Sequence, residues 1–501
     1  MSHTTYLGRR GYTIYKETLS IHQQEFIRNE LTVKPFITGS PIQMSSYPIY
    51  KESTKKFYIP RYFGTMEFGE PDESKIGDGV KISLKFIGEL REYQNNIISK
   101  YMDSIKNGGF GGLLDLYTGS GKTVMALKLI QIISLKTIII VHKGFLLNQW
   151  IERIEQCLPD AKIVKIQGQI VDIEDKDIVI AMLQSISMKD YPEDLFESFG
   201  FTIIDECHHM SAEVFSKALE KIVTKYNLGL SATMNRKDGL TKVFKLFLGD
   251  VIHKEKNPNN SSILIKAVNF SSNDEEFNTI EYDFRGNVKY STMMTKLCNF
   301  NRRTELIVDI LVNELKNNSE QQIMVLAQYK TPLTYLYNAI NHKNIATVGY
   351  YIGGMKDTDL KLSEGKQIIL GTYGMASEGL DIKTLTTLIM ATPLSDVEQS
   401  VGRIMRKKHE NPLVIDIIDQ HQVFKKQWYK RKKFYLSKNY QVKITDDYNK
   451  NLWNDISKKD KDKDKDKDKD KDNDKHKLHN VEEELQDLLL NKCMVPLHYI
   501  S

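Results

Sequence analysis

A short glycine-bearing loop between an apolar run and a helical pattern constrains this chain most. The loop, residues 115–123 with the sequence DLYTGSGKT, follows the apolar run 112–114 and precedes apolar residues at helical spacing. Glycines let backbone N–H groups turn inward around phosphate oxygens, and the N-terminus of the following helix adds positive potential. Lys122 would reach the β- and γ-phosphates of a nucleotide, and the Thr123 hydroxyl would hold Mg²⁺. The predicted phosphate-binding residues are Thr118, Gly119, Ser120, Gly121, Lys122 and Thr123.

A pair of acidic residues follows another apolar run. Asp205 and Glu206 come directly after residues 201–204. Ligands of parallel sheets bind at the carboxyl ends of the strands, so acids at this position would lie near the bound phosphates. Asp205 would hold Mg²⁺ through water, and Glu206 would orient and deprotonate the attacking water. The alternative is a strand end capped by two solvated acids, which the upstream phosphate loop disfavours.

Apolar runs alternate with helical stretches along most of the chain. Strands alternating with helices predict parallel sheets with helices on both faces, and such strands are continuously apolar because both of their faces are buried. The alternation breaks around residues 250–273, near the turn-rich stretch 257–262, and then resumes. We therefore predict two tandem α/β domains with parallel sheets. The predicted strands are 137–141, 178–182, 201–204 and 228–230, then 323–326, 346–348, 367–370, 388–390 and 413–415.

Length and composition agree with several globular domains. A chain of 501 residues is too long for one hydrophobic core. The net charge of +5 gives little support for nucleic acid by itself. Four cysteines without a CxxC pair indicate a reducing compartment, with neither a zinc site nor a disulfide framework. Without a signal pattern or an apolar run of membrane-spanning length, we expect a soluble intracellular protein with no membrane partner.

Four regions follow from these patterns. Residues 1–85 are a predicted small α+β domain, 86–255 the nucleotide-binding domain, 256–445 the second domain and 446–501 a tail. Aromatic and basic residues interleave in the first region, as in 55–64, which suits either binding to nucleic acid or a domain whose aromatics form its core. The tail is mostly a Lys-Asp alternation that should be disordered. A short apolar helical stripe near its end is either a docking peptide or a residual helix.

Arginine, glutamine and aromatic residues elsewhere carry further chemistry. Arg403 and Arg406 are three apart on a predicted helix, so both project from one face. Two guanidinium groups on one face suit nucleotide phosphates at a domain interface, and the alternative is a solvated basic face. Gln94 lies on a predicted helix before the phosphate loop, where its amide pairs with an adenine edge or is simply solvated. The stretch 428–435 either contacts nucleic acid or packs a terminal helix on the second sheet.

Together these motifs resemble superfamily 2 helicases and translocases over roughly residues 86–440. The resemblance implies two RecA-like domains, ATP with Mg²⁺, and DNA or RNA, as single strand or duplex, as the partner. It also implies that Gln94 reads adenine, that Asp381 touches the ribose and that His208 marks the DExH variety. The catalytic residues on this basis are Lys122, Asp205, Glu206, Arg403 and Arg406.

The same resemblance assigns residues to coupling and to the nucleic-acid track. It implies that His208, Ser231, Thr233 and Gln399 couple hydrolysis to movement. It also implies that His142, Lys143, Gln184 and Thr372 contact the nucleic-acid backbone. The motifs that contain these contacts also include Ser185, Gln328, Tyr329 and Gly371. Two positions depart from the family pattern. Met182 stands where threonine is usual, which weakens one backbone contact, and Leu116 stands where the phosphate loop usually has glycine.

One branch of the superfamily is especially similar. The stretches 90–94, 148–150 and 231–239 look like the branch that contains the phage recombination helicase and the strand-opening subunit of the transcription and repair factor. IPRYFG, residues 59–64, is similar to the amino-terminal region of helicases of large DNA viruses, among them the poxvirus transcript-release helicase. This implies an ATP-dependent helicase of viral transcription or of recombination and repair, in the virion or host cytoplasm. Transcription or replication machinery would be the partner of the tail.

Other functions stay open on the sequence. The chain could be the motor subunit of a nuclease system, although we find no Asp…Glu-x-Lys run on strands outside the motor. It could also translocate on duplex without separating the strands. An inactive scaffold that binds nucleic acid and partners through its termini belongs to a different class, and the presence of every catalytic residue argues against it.

Overall fold

The computed structural model divides into two compact units. The first comprises residues 1–259 with 378–381, and the second comprises 260–377 with 382–501. The structure describes residues 4–34, 45–117, 119–166, 172–192, 194–206, 212–231, 241–255, 263–379, 382, 384–403, 412–450 and 452–456. Side chains are described for all of these except residues 212, 377–379, 399 and 403.

The first unit opens with a small antiparallel sheet and two helices. Phe57 and Ile59 are buried while Lys56 and Tyr58 are half-buried, because successive side chains of a strand point to opposite faces. The elements are β1 (Thr5–Gly8), β2 (Gly11–Tyr15), α1 (Ile21–Glu30), β3 (Thr32–Val33), β4 (Tyr47–Pro48), β5 (Lys51–Glu52), β6 (Lys56–Ile59) and α2 (Arg61–Phe68). The sheet order is β1-β2-β6-β5, and β3 pairs with β4. Buried Arg61 donates to the carbonyls of Thr224 and Lys225, so this sheet is anchored on the rest of the unit.

A seven-stranded parallel sheet follows in the same unit. Its elements are α3 (Glu92–Lys106), β7 (Gly111–Leu116), α4 (Lys122–Ile133), β8 (Thr137–Val141), α5 (Gly144–Cys157), β9 (Ile163–Ile166), β10 (Ile178–Met182), α6 (Leu183–Met188), β11 (Phe201–Ile204), α7 (Ala212–Leu219), β12 (Tyr226–Ser231), α8 (Thr241–Leu248) and β13 (Val251–Glu255). The strand order is β13-β7-β12-β11-β8-β10-β9. Ile138 and Ile140 join one apolar cluster, whereas Ile139 and Val141 join another, so both faces of β8 are covered.

The second unit contains an eight-stranded sheet. Its elements are β14 (Leu264–Phe270), α9 (Glu275–Asn278), α10 (Tyr290–Asn299), α11 (Asn301–Asn317), β15 (Gln322–Ala327), α12 (Lys330–His342), β16 (Val348–Tyr351), α13 (Asp357–Glu364), β17 (Ile368–Thr372), α14 (Tyr373–Gly379), β18 (Leu385–Met390), α15 (Glu398–Arg403), β19 (Leu413–Asp419), α16 (Gln422–Ser437), β20 (Gln441–Thr445) and β21 (Asn454–Ile456). The order is β16-β17-β15-β18-β19-β14-β20-β21, with only the β20–β21 pairing antiparallel among these described strands. The predicted fold class, two parallel-sheet α/β domains with a small N-terminal domain, is confirmed.

Every predicted strand overlaps an observed strand, but five strands of the two large sheets were missed, namely β9, β13, β14, β20 and β21. β13 lies at the edge of its sheet and carries His253, Lys254 and Glu255, so it lacks a continuous apolar run. β14 interrupts its apolar residues with Lys266 and Asn269. Both strands fall where the sequence indicated a break. β21 extends the second sheet past residue 445, the predicted end of the second domain.

Helix α16 packs against the second sheet. Trp428, Arg431 and Tyr435 are buried, and Arg431 pairs with Asp416 of β19 at 2.8 Å. For these three side chains the structure shows the packing alternative predicted for the stretch 428–435. In the described part of the chain, every helix is too short or too polar to cross a bilayer.

Candidate active site

The predicted phosphate loop joins the buried strand β7 to helix α4. Gly119 and Gly121 adopt positive φ angles of 88° and 85°, which favour glycine over residues with a Cβ atom. A Cβ atom on Gly121 would also lie 2.4 Å from Nε2 of Gln94. Ser120 is fully buried, and its hydroxyl has no hydrogen-bond partner in the structure as described. A loop with two such glycines, an unsatisfied hydroxyl and a helix N-terminus has the chemistry of an anion cradle.

Two side chains of helix α3 hold this loop. The hydroxyl of Tyr93 and the Nε2 atom of Gln94 both donate to the carbonyl of Ser120, each at 2.8 Å. The Oε1 atom of Gln94 accepts from the backbone N–H of Arg91 at 2.9 Å. Both ends of the Gln94 amide are therefore engaged beside the loop. Tyr93 was noted from sequence only within the stretch 90–94, because a hydroxyl that bonds to a loop carbonyl leaves no periodic signal.

The acid pair ends strand β11 directly beside the phosphate loop. The Nζ atom of Lys122 donates to Oε1 of Glu206 at 3.0 Å, and both side chains are largely buried. Glu206 has a φ angle of 48°, a left-handed conformation that is uncommon for a residue other than glycine. The neighbouring Asp205 is buried, and its Oδ1 atom accepts from the Glu206 backbone N–H at 3.0 Å. The structure thus brings together the lysine and both acids that the sequence singled out.

The electrostatics of Asp205 fit a nearby cation. Burial, followed by the charge of Glu206, raises the pKa of Asp205 to about 6, although Lys122 and a hydrogen bond from Trp150 lower it. In the part of the site that the structure describes, two adjacent carboxylates face one ammonium. This excess of buried negative charge fits a divalent cation, and carboxylate and hydroxyl oxygens are the ligands that Mg²⁺ prefers.

Trp150 of helix α5 positions Asp205. Its indole Nε1 atom donates to Oδ2 of Asp205 at 2.8 Å, and the ring is 1% exposed. With the backbone N–H of Glu206 on Oδ1, both carboxylate oxygens are oriented by the protein. This contact is not predictable from local sequence, because the two residues are 55 positions apart.

Predicted nucleic-acid residues of the first unit meet at the carboxyl edge of its sheet. His142 follows β8, Lys143 precedes α5 and Gln184 lies on α6 after β10. The Nε2 atom of Gln184 donates to the carbonyl of His142 at 3.3 Å. Ser231, assigned to coupling, ends β12 opposite Asp115 of β7.

The corresponding residues of the second unit are joined through Thr392. The hydroxyl of Thr392 accepts from the backbone N–H of Gln328 at 2.8 Å, and its carbonyl accepts from the hydroxyl of Tyr373 at 2.6 Å. Gln328 follows β15, and Thr372, half-buried, ends β17. Buried Thr392 therefore links Gln328 to Tyr373, the residue that follows Thr372, and neither contact was predicted from the sequence.

Several predicted residues are not described. Gln399 and Arg403 lie on helix α15, but their side chains are outside the described set. Five other predicted residues lie wholly outside the described residues: Thr118, His208, Thr233, Asp381 and Arg406. The turn-rich stretch 257–262 and the tail from residue 457 also lie outside them.

Comparisons with known proteins agree with this geometry. A family described as "Type III restriction enzyme, res subunit" matches residues 87–236, which contain the phosphate loop and the acid pair. A protein of Acanthamoeba polyphaga mimivirus, provisionally named an ATP-dependent RNA helicase, is 35% identical over 476 residues, which is 90% of each chain. This chain belongs to the same family of viral ATP-dependent helicases.

The helicase has more distant viral relatives. A protein of Invertebrate iridescent virus 6, provisionally named a helicase, is 27% identical over 72% of this chain and 85% of its own. A protein of African swine fever virus, provisionally named an ATP-dependent RNA helicase, is 27% identical over 70% of this chain and 74% of its own. The crystal structure of T4 UvsW aligns with 85% of this chain and 96% of its own at 18% identity, with a TM-score of 0.32. The helicase is an ATP-hydrolysing enzyme that acts on nucleic acid.

Proposed function

We propose that this helicase hydrolyses ATP between the β7–α4 loop and the end of β11, and that a bound nucleic-acid strand stimulates the reaction. The observation that supports this site is the 3.0 Å contact between Lys122 and Glu206. It joins a phosphate-binding loop to a pair of acids that lie 84 positions further along the chain. If the acids only capped a strand end in solvent, no contact with Lys122 would be expected. Instead, the side chains of Lys122 and Glu206 are both largely buried.

Each side chain has a proposed role in hydrolysis. Lys122 binds the β- and γ-phosphates, Glu206 accepts a proton from the attacking water, and Asp205 with Thr123 would hold Mg²⁺. Bound there, Mg²⁺ would neutralise phosphate charge. Phosphate oxygens compete with Glu206 for the Lys122 ammonium, so nucleotide binding would release the Glu206 carboxylate to act as a base.

The remaining nucleotide contacts are proposed from the family resemblance. Arg403 and Arg406 would stabilise charge that develops on the γ-phosphate. Gln94 would read the adenine edge and Asp381 the ribose. Loss of either arginine should then lower turnover more than nucleotide affinity.

We propose that the track is single-stranded and includes RNA. The mimivirus and African swine fever virus relatives carry names that specify RNA. His142, Gln184, Gln328 and Thr372 are proposed to contact the sugar-phosphate backbone. Such contacts are tolerant of sequence and weaken with added salt. A role in viral transcription, and docking of the tail on that machinery, are further proposals on the same basis.

The decisive experiment compares ATPase rates without nucleic acid and with single-stranded RNA, single-stranded DNA or duplex DNA. We expect stimulation by single-stranded RNA, and equal rates under all conditions would overturn the motor function while leaving the ATPase. A forked substrate then tests strand separation, because a duplex translocase would hydrolyse ATP without releasing the displaced strand. A metal-dependent cleavage assay tests the alternative that the chain is the motor subunit of a nuclease system.

A further inference from the structure

A short turn between α9 and α10 presents an unusually exposed aromatic side chain. Of the large apolar side chains that the structure describes, Phe284 is the most exposed, at 91%, and Tyr282 is 53% exposed. We call residues 281–289 the aromatic turn. Single exposed apolar residues are common on protein surfaces, so exposure alone does not indicate a binding site.

The aromatic turn is internally hydrogen-bonded. Oδ1 of Asp283 accepts from the backbone N–H groups of Arg285 and Asn287 at 2.9 and 2.8 Å. The Asp283 N–H donates to the Asn287 carbonyl at 2.7 Å, and Gly286 takes a φ angle of 76°. Tyr282 forms an antiparallel bridge with Val288. Phe284 therefore sits on a preorganised turn, which lowers the conformational entropy lost when it binds a ligand.

A guanidinium group accompanies the exposed ring. The Cζ atom of Arg285 lies 5.0 Å from the centroid of Phe284, within the range of a cation–π contact. An aromatic face beside a guanidinium suits a nucleobase, which stacks on the ring, next to a phosphate, which the cation attracts. An apolar protein partner would gain from the ring but would also have to desolvate the cation.

The base of the turn rests against a motif predicted to contact nucleic acid. Ile280, Val288 and Tyr290 pack on the same small apolar cluster as Tyr329. The Tyr290 hydroxyl also contacts Oε1 of Gln328 at 3.4 Å. All of these residues belong to the second unit. The aromatic turn thus stands immediately beside Gln328 and Tyr329, at the carboxyl end of β15.

We propose that the aromatic turn stacks on a base of the single strand held by the second unit. Phe284 supplies the stacking surface, and Arg285 attracts the neighbouring phosphate. Every base has a π face, so the contact is tolerant of sequence. This inference rests on the proposed function, because it requires that the nucleic-acid strand bind at the carboxyl end of β15, where Gln328 lies.

The test measures binding of a fluorescein-labelled oligouridylate by anisotropy, with wild type, Phe284→Ala and Phe284→Trp. We expect Phe284→Ala to weaken binding roughly fivefold to a hundredfold, the range for loss of one base–aromatic stack. Phe284→Trp should retain or strengthen binding, since it keeps an aromatic face. Leu362→Ala is the matched control, because Leu362 is 71% exposed on α13 of the same unit, and it should leave the affinity unchanged.

Each outcome separates this inference from the proposed function. If wild type binds the strand and Phe284→Ala binds equally well, the aromatic turn is not a stacking site, and the motor function stands. Equal losses of oligouridylate affinity in Phe284→Ala and Leu362→Ala would also overturn the proposed stacking site. Absence of strand binding and stimulation in wild type would instead overturn the proposed function. Thermal unfolding of Phe284→Ala should match wild type, because the ring has little surface buried in the fold.

Discussion

The Lys122 ammonium lies 3.0 Å from Oε1 of Glu206, so the first residue of α4 meets the second residue after β11. Strand β12 lies between β7 and β11 in the sheet, and both carboxyl ends open on the same edge. The contact therefore depends on strand order rather than on proximity in the sequence.

Glu206→Gln should abolish ATP turnover while nucleotide binding is kept. The amide cannot accept a proton from water, and loss of a general base typically lowers turnover by about 10²- to 10⁴-fold. Steady-state hydrolysis and titration with a fluorescent ATP analogue measure the two effects separately. Glu213→Gln is the control, because Glu213 is a half-exposed acid on α7 whose direct 2.7 Å ion pair with Lys217 is open to solvent and so contributes little to stability. Normal turnover in Glu206→Gln would show that the base lies elsewhere.

Trp150→Phe should move the acid limb of the ATPase pH profile to higher pH. The indole N–H stabilises the charged form of Asp205 and so lowers the pKa of that carboxyl. If the deprotonated carboxyl is the active form, activity is present above its pKa and lost below it. Removing the bond raises this pKa, and the limb shifts upward. The measurement is kcat/KM for ATP as a function of pH.

The control for that shift is Trp428→Phe on α16, a buried tryptophan in the second unit. It removes an indole of similar burial without touching Asp205. A profile for Trp150→Phe that overlays the Trp428→Phe profile would mean that the hydrogen bond has no electrostatic effect on hydrolysis.

Arg431→Met should destabilise the protein strongly. Its guanidinium pairs with both oxygens of Asp416, at 2.8 and 2.9 Å, and both side chains are essentially buried. Removing one partner leaves a buried charge, which typically costs about 3–5 kcal/mol. Urea denaturation measures the loss. Lys430→Met, at the preceding exposed position of α16, should change stability little, and Arg431→Met with Asp416→Leu should recover much of the loss.

Thr392→Val should loosen the segment after β15. The hydroxyl of buried Thr392 accepts from the Gln328 backbone N–H, and a hydrogen bond of this kind contributes about 0.5–1.5 kcal/mol. Hydrogen exchange of the peptide that contains Gln328 should accelerate, and stimulation of ATPase activity by a strand should fall. Thr392→Ser keeps the hydroxyl and should behave as wild type. Unchanged exchange in Thr392→Val would mean that water replaces the lost acceptor.

Periodicity was sufficient for most of the fold because the central strands are buried on both faces. Ile138 to Val141 are apolar without interruption, and such a run is recognisable in a single sequence. β13 was missed because an edge strand tolerates charged residues, as at Lys254. β14 was missed because polar residues interrupt its apolar ones. Local sequence therefore predicts buried strands better than edge or mixed ones.

By itself, the sequence determined that a phosphate loop and an acid pair follow strands of parallel sheets, because glycine geometry, charge and apolar runs are local properties of the chain. Only the tertiary structure decided which side chains support them. The bonds from Trp150 to Asp205, from Tyr93 to the loop and from Gln328 to Thr392 join residues far apart in the chain. Only the tertiary structure also showed that Phe284 is exposed and lies near Gln328 at the carboxyl end of β15, because exposure depends on how distant elements pack.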